Sequence, residues 1–487
     1  MLSFQSALPE QTGIPSDCIT RFIKRLRTHE VPMHSLLILH HDKLITEGYY
    51  FPCKKNTLHR MFSISKSFTS IAIALLAEEG KLSLDDPIIK YFPDKTPENV
   101  HPWIAAMTIR DMLMMRTCHA STTYKLNMEK DWVESFFTTP PTHPAGRLFH
   151  YDTSSSHTLC ALVERLSGKA MLDYLKEKLP ELGFSEGSYM IKDPFGISLG
   201  GSGLVATSMD LMRFGYLIYH KGNVCGRQMV SASYIEKAIS ALTDTSVTAP
   251  VLSEACGYGY QFWQNQKNGC VCYGMGGQLI ILLPHYDMIC VTTADTQGIG
   301  GGNQLIYDAL YEEILPFISK ESLPLLADMR SDYEKMLLEL QVDPLKGNIT
   351  SPVMEQRNGS VYHVTENPMG FEELSLTFTE KNSDSLLTAG TLHFTLKGKD
   401  YSFSFGFGYL ETGIFPLYHL NYAASAIWSD DSTLYIKVHI IDAYVGSVKF
   451  ELSFFQNDVT VFMKKQEESL FHEFNGHLYA ILSPEEK

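Results

Sequence analysis

The sequence predicts an α/β domain followed by a smaller all-β domain. The chain has 487 residues, and a single hydrophobic core stops growing at about 250–300 residues. An amphipathic helix and two strands come early, helices fill the middle, and strands and a helix return by residue 318. After residue 347 the pattern changes to alternating apolar and polar residues, which is typical of strands with one buried face.

The first domain, residues 1–320, is predicted to build its sheet from both of its ends. A helix is expected at 17–30, where apolar residues recur at helical spacing, and a hairpin at 35–50 around a turn. The region 82–234 is predicted to be mostly helical, and 303–318 to be a closing helix. The returning strands are expected at 257–264, 270–273, 279–283 and 288–293.

Residues 321–347 are predicted to be a polar, partly helical connector, and residues 348–487 to form the all-β domain, as a barrel or a sandwich. Asn358-Gly359 lies between two alternating runs and predicts a tight hairpin. The other strands of this domain are expected at 373–379, 385–395, 401–408, 434–441, 448–455 and 459–464.

Composition narrows the classes of partner. With 40 Lys and Arg against 55 Asp and Glu, the formal net charge is −15, which disfavours nucleic acid and anionic membranes. No signal-like segment and no apolar run of about 20 residues is visible in the sequence. Nine cysteines, an odd number in a long chain, do not indicate a disulfide framework. We therefore expect a cytoplasmic protein without nucleic-acid or membrane partners, and homo-oligomerisation stays open.

The candidate nucleophile is Ser63, which stands three residues before Lys66. An apolar helix follows, so Ser63 is predicted at its N-terminus and Lys66 on the same face one turn later. A serine hydroxyl needs a base to take its proton, and a lysine can serve once burial lowers its pKa. The S-x-x-K spacing alone is weak, because a capping serine with a solvated lysine gives the same pattern. The apolar helix that follows favours the buried arrangement.

Further stretches occur in an order that resembles the class C β-lactamase, esterase and D-peptidase family. This family is part of the serine β-lactamase and penicillin-binding-protein-like superfamily. The resemblance implies a β-lactamase/transpeptidase-like fold, in which an antiparallel sheet is flanked by helices and joined by an all-helical subdomain. Small β domains are appended to other serine hydrolases of this family. The resembling stretches, spread over about 300 residues, are 62–87, 108–113, 144–151, 200–204, 257–260 and 274–278.

The second motif of that family is Y-x-N, and here it is Tyr151-Asp152-Thr153. The resemblance implies that Tyr151 lies against the serine and lysine and moves the proton between Ser63, the leaving group and the deacylating water. Thr153 is expected to face the substrate. Thr153, or Ser154 in a shifted register, replaces the asparagine whose amide contacts a substrate amide in β-lactamases. This replacement favours esters or unusual amides.

The third motif is K-T-G or H-x-G, and the corresponding residues are Cys272-Tyr273-Gly274. The resemblance assigns all three to substrate binding, and it assigns the oxyanion hole to the backbone N–H groups of Ser63 and Met275. The cation of the motif is lost, which argues against efficient β-lactam hydrolysis and against D-Ala-D-Ala carboxypeptidase activity.

The sequence thus predicts a serine hydrolase that cleaves a small-molecule ester or amide through a Ser63 acyl-enzyme, in the manner of a carboxylesterase. No metal and no organic cofactor are implied. Three alternatives stay open: an acyltransferase that uses the same acyl-enzyme, a β-lactamase or D-peptidase, and a non-catalytic ligand-binding protein on the same fold.

Overall fold

The computed structural model describes residues 2–249, 251–325, 327–382 and 385–483. The chain divides into two compact units. The first comprises Met1–Tyr50 and Lys54–Leu340, and the second comprises Phe51–Cys53 and Gln341–Lys487. None of the helices in the described ranges has the length and the apolar character needed to cross a membrane.

The first unit contains a mixed set of strands and helices. Its strands are β1 (Gln5–Ser6), β2 (Met33–His40), β3 (Lys43–Tyr49), β4 (His59–Arg60), β5 (Tyr189–Met190), β6 (Leu204–Ala206), β7 (Asn223–Val224), β8 (Arg227–Gln228), β9 (Trp263–Gln264), β10 (Cys270–Gly274), β11 (Gln278–Leu283) and β12 (Met288–Ala294). Its helices are α1 (Ser16–Thr28), α2 (Ile64–Glu78), α3 (Pro102–Ala105), α4 (Ile109–Leu113), α5 (Trp132–Thr138), α6 (Thr153–Ser167), α7 (Met171–Lys178), α8 (Ser208–Tyr219), α9 (Ala232–Ala238), α10 (Gln304–Ala309) and α11 (Ala327–Leu338).

A central sheet joins the two ends of the first unit. Within the described residues its order is β1-β3-β2-β12-β11-β10-β9, and its pairs are antiparallel except for β1 with β3. Every residue of β2, β11 and β12 is buried, because strands covered on both faces need apolar side chains on both. The prediction of a sheet flanked by helices, with further helices between its two halves, is confirmed.

One predicted strand of the first unit differs in the structure. The predicted strand at 257–264 is extended only at β9, because Gly257 and Gln261 have φ values of +114° and +68° and interrupt the strand.

The segment 321–347, predicted to be partly helical, contains α11. Within the first unit the buried Tyr333 of α11 donates a hydrogen bond to the carbonyl of Ile45 at 2.9 Å.

Helix α2 is the most buried helix of the site region. All its residues from Ile64 to Leu76 are buried, and residues 71–76 are apolar on every side, as expected for a buried helix segment. It packs against α6 and α7 and against strand β10 of the sheet. The N-terminus of α2 is therefore held between the sheet and the helical part of the unit.

The second unit is a closed β-sheet. Its elements are α12 (Pro352–Arg357), β13 (Val361–Val364), β14 (Phe371–Asn382), β15 (Ser385–Leu396), β16 (Lys399–Phe407), β17 (Glu411–Phe415), β18 (Leu420–Trp428), β19 (Thr433–Ile441), β20 (Val445–Phe455), β21 (Asp458–Lys465) and β22 (Gly476–Leu482). In the described residues the order is β16-β15-β14-β13-β22-β21-β20-β19-β18, and β16 also pairs with β18. This pairing closes a ring of nine strands in the described residues, and β17 pairs with β18 outside that ring. The prediction of a small all-β domain is confirmed.

The predicted hairpin at Asn358-Gly359 is wrong. The preceding residues form helix α12, whose first turn is capped by the Ser351 hydroxyl, which accepts from the Val353 N–H at 3.0 Å. Pro352 occupies the first helical position, where proline is favoured because its missing N–H would have no partner there. Asn358-Gly359 therefore follows the end of a helix, and Gly359 has a φ of +77°.

Candidate active site

Ser63 lies directly before the first residue of α2, on a strained turn. The preceding residue, Phe62, is buried and has a φ of +44°, a left-handed conformation that is rare for a bulky side chain. Its carbonyl accepts hydrogen bonds from the N–H of Ser65 at 3.0 Å and from the Ser65 hydroxyl at 2.6 Å. These bonds hold the strained turn, and the turn fixes Ser63 at the N-terminus of the helix.

Lys66 is 1% exposed and reaches Ser63 from one turn along the helix. Its Nζ lies 2.9 Å from the Ser63 Oγ, 2.7 Å from the carbonyl oxygen of Gly201 and 3.3 Å from the Thr153 Oγ1. A buried amine needs hydrogen-bond partners, and here each partner comes from a different part of the chain. The structure therefore brings together the serine and lysine that the sequence singled out.

Tyr151 completes this group. The centre of its ring lies 4.8 Å from the Lys66 Nζ. Burial raises the pKa of Tyr151 well above its usual value, and the hydrogen-bond interaction with Ser63 acts in the opposite direction. Such a phenol keeps its proton at neutral pH. Tyr151 is thus suited to pass a proton on, and less suited to act as a standing phenolate base.

Asp152 is a buried neighbour of this group that sequence reasoning did not select. It caps α6, since its carboxylate accepts from the Ser154 N–H at 2.8 Å and from the Ser154 hydroxyl. Burial raises the pKa of Asp152 to about 6, while the bonds from Ser154 and the charge of Lys66 lower it. In the sequence, Asp152 directly precedes a run of Thr and Ser residues at the start of α6, and this position is typical of a residue that caps a helix. That signal does not reveal the nearby lysine.

Thr153 lies where the second motif placed it. Its hydroxyl accepts from Lys66, and its N–H donates to the Thr122 Oγ1 at 3.2 Å. The backbone of Gly201 passes so close that a Cβ there would lie 2.4 Å from the Thr153 Cγ2 and 3.5 Å from the Lys66 Nζ. The glycine is required by this close approach. Contact of Thr153 with a substrate stays a prediction.

The third motif lies on β10, against the segment that leads to Ser63. A Cβ on Gly274 would lie 2.4 Å from the carbonyl oxygen of Met61, so only glycine allows the strand to come this near. Cys272 is fully buried, and its thiol interacts with the Ser67 hydroxyl. Tyr273 is partly exposed on the neighbouring position of the strand. Their contacts with a substrate stay predictions.

The predicted oxyanion hole consists of two backbone N–H groups. Among the described residues, no backbone carbonyl accepts a hydrogen bond from the N–H of Ser63 or of Met275. The carbonyl of Met275 is fixed instead by the Gln278 amide, which donates to it at 2.9 Å. Both N–H groups thus stay available as donors, although their role remains a prediction. Within the described part of the chain, no group of three or more His, Cys, Asp or Glu side chains is arranged to hold a metal ion.

Glu254 is a second acidic residue that sequence reasoning missed. It is 1% exposed, and neither carboxyl oxygen has a hydrogen-bond partner among the described residues. Burial raises the pKa of Glu254 to about 8. Burial raises the pKa values of Tyr151, Tyr273 and Tyr307, and the charge of Glu254 adds to each increase. The turn Leu252–Glu254 packs against β9 and α10. No pattern in its polar loop indicated burial.

Glu254→Gln is expected to remove a pH-dependent loss of stability. A carboxyl whose pKa is raised in the folded state loses stability as the pH rises from its unfolded value, near 4.5, to its folded value of about 8. The loss is about 1.4 kcal/mol per pH unit over this window. Urea unfolding of both proteins at pH 5, 6, 7 and 8 measures it. The free energy of unfolding of the wild type should fall relative to the variant as pH rises, and parallel curves would contradict this assignment.

The sequence profile of the Beta-lactamase family matches residues 19–307. The chain belongs to the beta-lactamase family. The matched segment contains Ser63, Lys66, Tyr151 and β10, and it confirms the resemblance and the fold that the sequence predicted. Its relatives in the family include hydrolases, so the chain belongs to the class of serine hydrolases with this fold.

Individual relatives are distant. The 6-aminohexanoate-dimer hydrolase of Paenarthrobacter ureafaciens is 22% identical over 311 residues, which cover 58% of this chain and 79% of that protein. A stretch of 43 residues is 54% identical to the mitochondrial serine beta-lactamase-like protein LACTB of Homo sapiens, and it covers 9% of this chain and 8% of that protein. A solved structure from Bacillus anthracis, assigned as a 6-aminohexanoate-dimer hydrolase, has a TM-score of 0.52 at 20% identity and covers 70% of this chain and 89% of its own. At this identity the likeness shows the fold.

Proposed function

We propose that the protein hydrolyses a small ester or amide through an acyl-enzyme on Ser63, with an ester as the preferred substrate. The observation that carries this proposal is the approach of the Lys66 Nζ to within 2.9 Å of the Ser63 Oγ, in a setting where Lys66 is 1% exposed. A serine without a base is a weak nucleophile, whereas a serine with a buried amine at hydrogen-bond distance is an activated one.

We propose that Lys66 is neutral before Ser63 attacks. A neutral amine has two N–H donors and one lone pair, and the carbonyl of Gly201 and the hydroxyl of Thr153 are available as acceptors for the donors. In this proposed state the lone pair of Lys66 accepts the proton of the Ser63 hydroxyl, whose Oγ lies 2.9 Å from the Nζ. When Ser63 attacks the substrate carbonyl, its proton passes to Lys66, and the charge that develops on the carbonyl oxygen is stabilised by the N–H groups of Ser63 and Met275. Each such donor is worth about 3 kcal/mol.

Tyr151 relays the proton in the following step. Because its phenol is protonated, it gives its own proton to the leaving group and takes one from the Lys66 ammonium. The bond to the leaving group breaks, and the acyl group stays on Ser63. In deacylation a water molecule attacks the ester carbonyl and loses its proton to Lys66 through Tyr151. Ser63 then recovers a proton from Lys66, so the enzyme returns to its starting state.

The preference for esters rests on two replacements in the motifs. Thr153 stands in place of an amide side chain, and Cys272 stands in place of a cation, with its thiol buried against Ser67. The site therefore lacks, at these positions, a cation that would pair with the carboxylate of a β-lactam or of a D-peptide. The loss disfavours both activities. An acyltransferase would use the same acyl-enzyme, with an alcohol or amine in place of water.

Turnover of p-nitrophenyl butanoate tests the proposal. Ser63→Ala should lower kcat by at least about 10³-fold, because the covalent route is removed, while Ser246→Ala, at an exposed serine, should leave kcat unchanged. Product analysis with added alcohols and amines separates hydrolysis from acyl transfer. Equal rates for wild type and Ser63→Ala would contradict the proposal.

A further inference from the structure

The Glu254 carboxyl group has no role in the proton transfers described above. It is 1% exposed, and both of its oxygens lack a hydrogen-bond partner among the described residues. Burial is the cause that raises its pKa, and no cation among the described residues offsets it. An unpaired buried carboxyl group is costly, and a glutamate held in this state is suited to a partner that arrives from outside the chain.

The turn that carries Glu254 packs beside the proposed reaction centre. Residues Leu252–Glu254 contact β9, which carries Trp263, and α10, which carries Tyr307. The ring of Trp263 has centroid distances of 5.4 Å to Tyr151 and 6.1 Å to Tyr273, and the Tyr307 hydroxyl is buried without a hydrogen-bond partner in the described residues. Glu254 therefore belongs to a turn that packs on elements carrying aromatic rings and one unused hydroxyl.

We propose that Glu254 binds an ammonium group of the substrate, so that the site selects esters or amides that carry a primary amine close to the scissile carbonyl. This inference rests on the proposed function. An ammonium has three N–H donors, and the carboxylate and the Tyr307 hydroxyl supply unused acceptors for them. Aromatic ring faces also attract cations. The pairing is charge-assisted, which makes it stronger than a bond to a neutral hydroxyl or amide of the substrate.

The pairing gives the substrate preference a pH dependence with a defined sign. Glu254 must release its proton to pair with the ammonium, and burial raises its pKa to about 8 in the unliganded protein. Tyr151, Tyr273 and Tyr307, on which the charge of Glu254 acts, keep their protons over this range because burial raises their pKa values as well. The preference for an amine-bearing substrate therefore rises between pH 6 and pH 8.

The test compares two substrates that differ only in the replacement of a methyl group by an ammonium group. These are the p-nitrophenyl esters of butanoic acid and of β-alanine, and the measured quantity is the ratio of their kcat/KM values. For the wild type the ratio should favour the β-alanine ester by at least about tenfold, since a site built to bond a polar group discriminates strongly against an analogue that lacks it. Glu254→Gln should abolish both the preference and its rise with pH. The control Glu134→Gln, at an exposed position of α5, should keep both.

The outcomes separate this inference from the proposed function. Turnover of the butanoyl ester that depends on Ser63, with a ratio that is the same in the wild type and in Glu254→Gln, would overturn the role of Glu254 alone. Absence of Ser63-dependent turnover of either ester would overturn the proposed function. A ratio that falls in Glu254→Gln and in Glu134→Gln alike would assign the preference to the general negative charge of the protein and would also overturn the inference.

If Glu254→Gln does not fold, Glu254→Asp provides the test. This variant keeps the charge on a shorter side chain, so it should retain part of the preference and its rise with pH. Loss of both in a folded Glu254→Asp would overturn the inference. A wild-type ratio near one at pH 8 would overturn it without any variant.

Discussion

Replacement of Lys66 by methionine will lower kcat for ester turnover by about 10³-fold, which is within the range of contributions from a positioned general base. Methionine fills much of the same buried volume with a flexible apolar side chain, so the protein should still fold. The variant lacks the amine that lies 2.9 Å from the Ser63 Oγ, and it leaves the carbonyl of Gly201 without this donor. Steady-state kinetics and thermal melting of the same samples measure the effect.

The control for this change is Lys130→Met, at an exposed position. It should retain the kcat and the melting temperature of the wild type. A folded Lys66→Met variant whose kcat lies within tenfold of the wild-type value would show that Lys66 does not activate Ser63.

Gly274→Ala is expected to reduce both stability and activity. The added Cβ would lie 2.4 Å from the Met61 carbonyl oxygen and 2.8 Å from the Gln278 Cβ, so β10 must move away from the segment that carries Ser63. A displacement of about 1 Å between reacting groups can reduce the rate by about 10²-fold. We expect a loss of this size in kcat/KM together with a lower melting temperature.

Gly300→Ala is the matched control, because no atom lies within 4 Å of the added Cβ and the backbone is not left-handed there. It should behave as the wild type in both measurements. Wild-type activity and stability in Gly274→Ala would contradict the close approach of β10 to the Ser63 turn.

The part of the site that sequence could predict is the part fixed by local geometry. Ser63 and Lys66 are three residues apart on one helix, and helical spacing alone puts them on one face. The burial of α2 followed from its apolar sequence. The place of Tyr151 came from the order of motifs, because no local rule brings residue 151 to residue 63.

Other features depend on contacts between distant segments. Glu254 lies in a short polar segment with no periodic pattern, and its burial depends on elements that are remote in sequence. The cap at Asp152 is a local signal, but its closeness to Lys66 depends on the packing of α6 against α2. The dipeptide Asn358-Gly359 is compatible with a hairpin turn and with the end of a helix. Because Ser351 and Pro352 start helix α12, the dipeptide follows the end of that helix.

Covalent labelling shows whether Ser63 is an activated nucleophile. The purified protein is treated with a fluorophosphonate, its intact mass is recorded, and the labelled peptide is mapped. We expect one adduct on the wild type, located at Ser63, absent in Ser63→Ala and formed more slowly in Lys66→Met. No adduct on the folded wild type, or an adduct that persists in Ser63→Ala, would contradict the role of Ser63 as nucleophile and leave a non-catalytic binding role on the same fold.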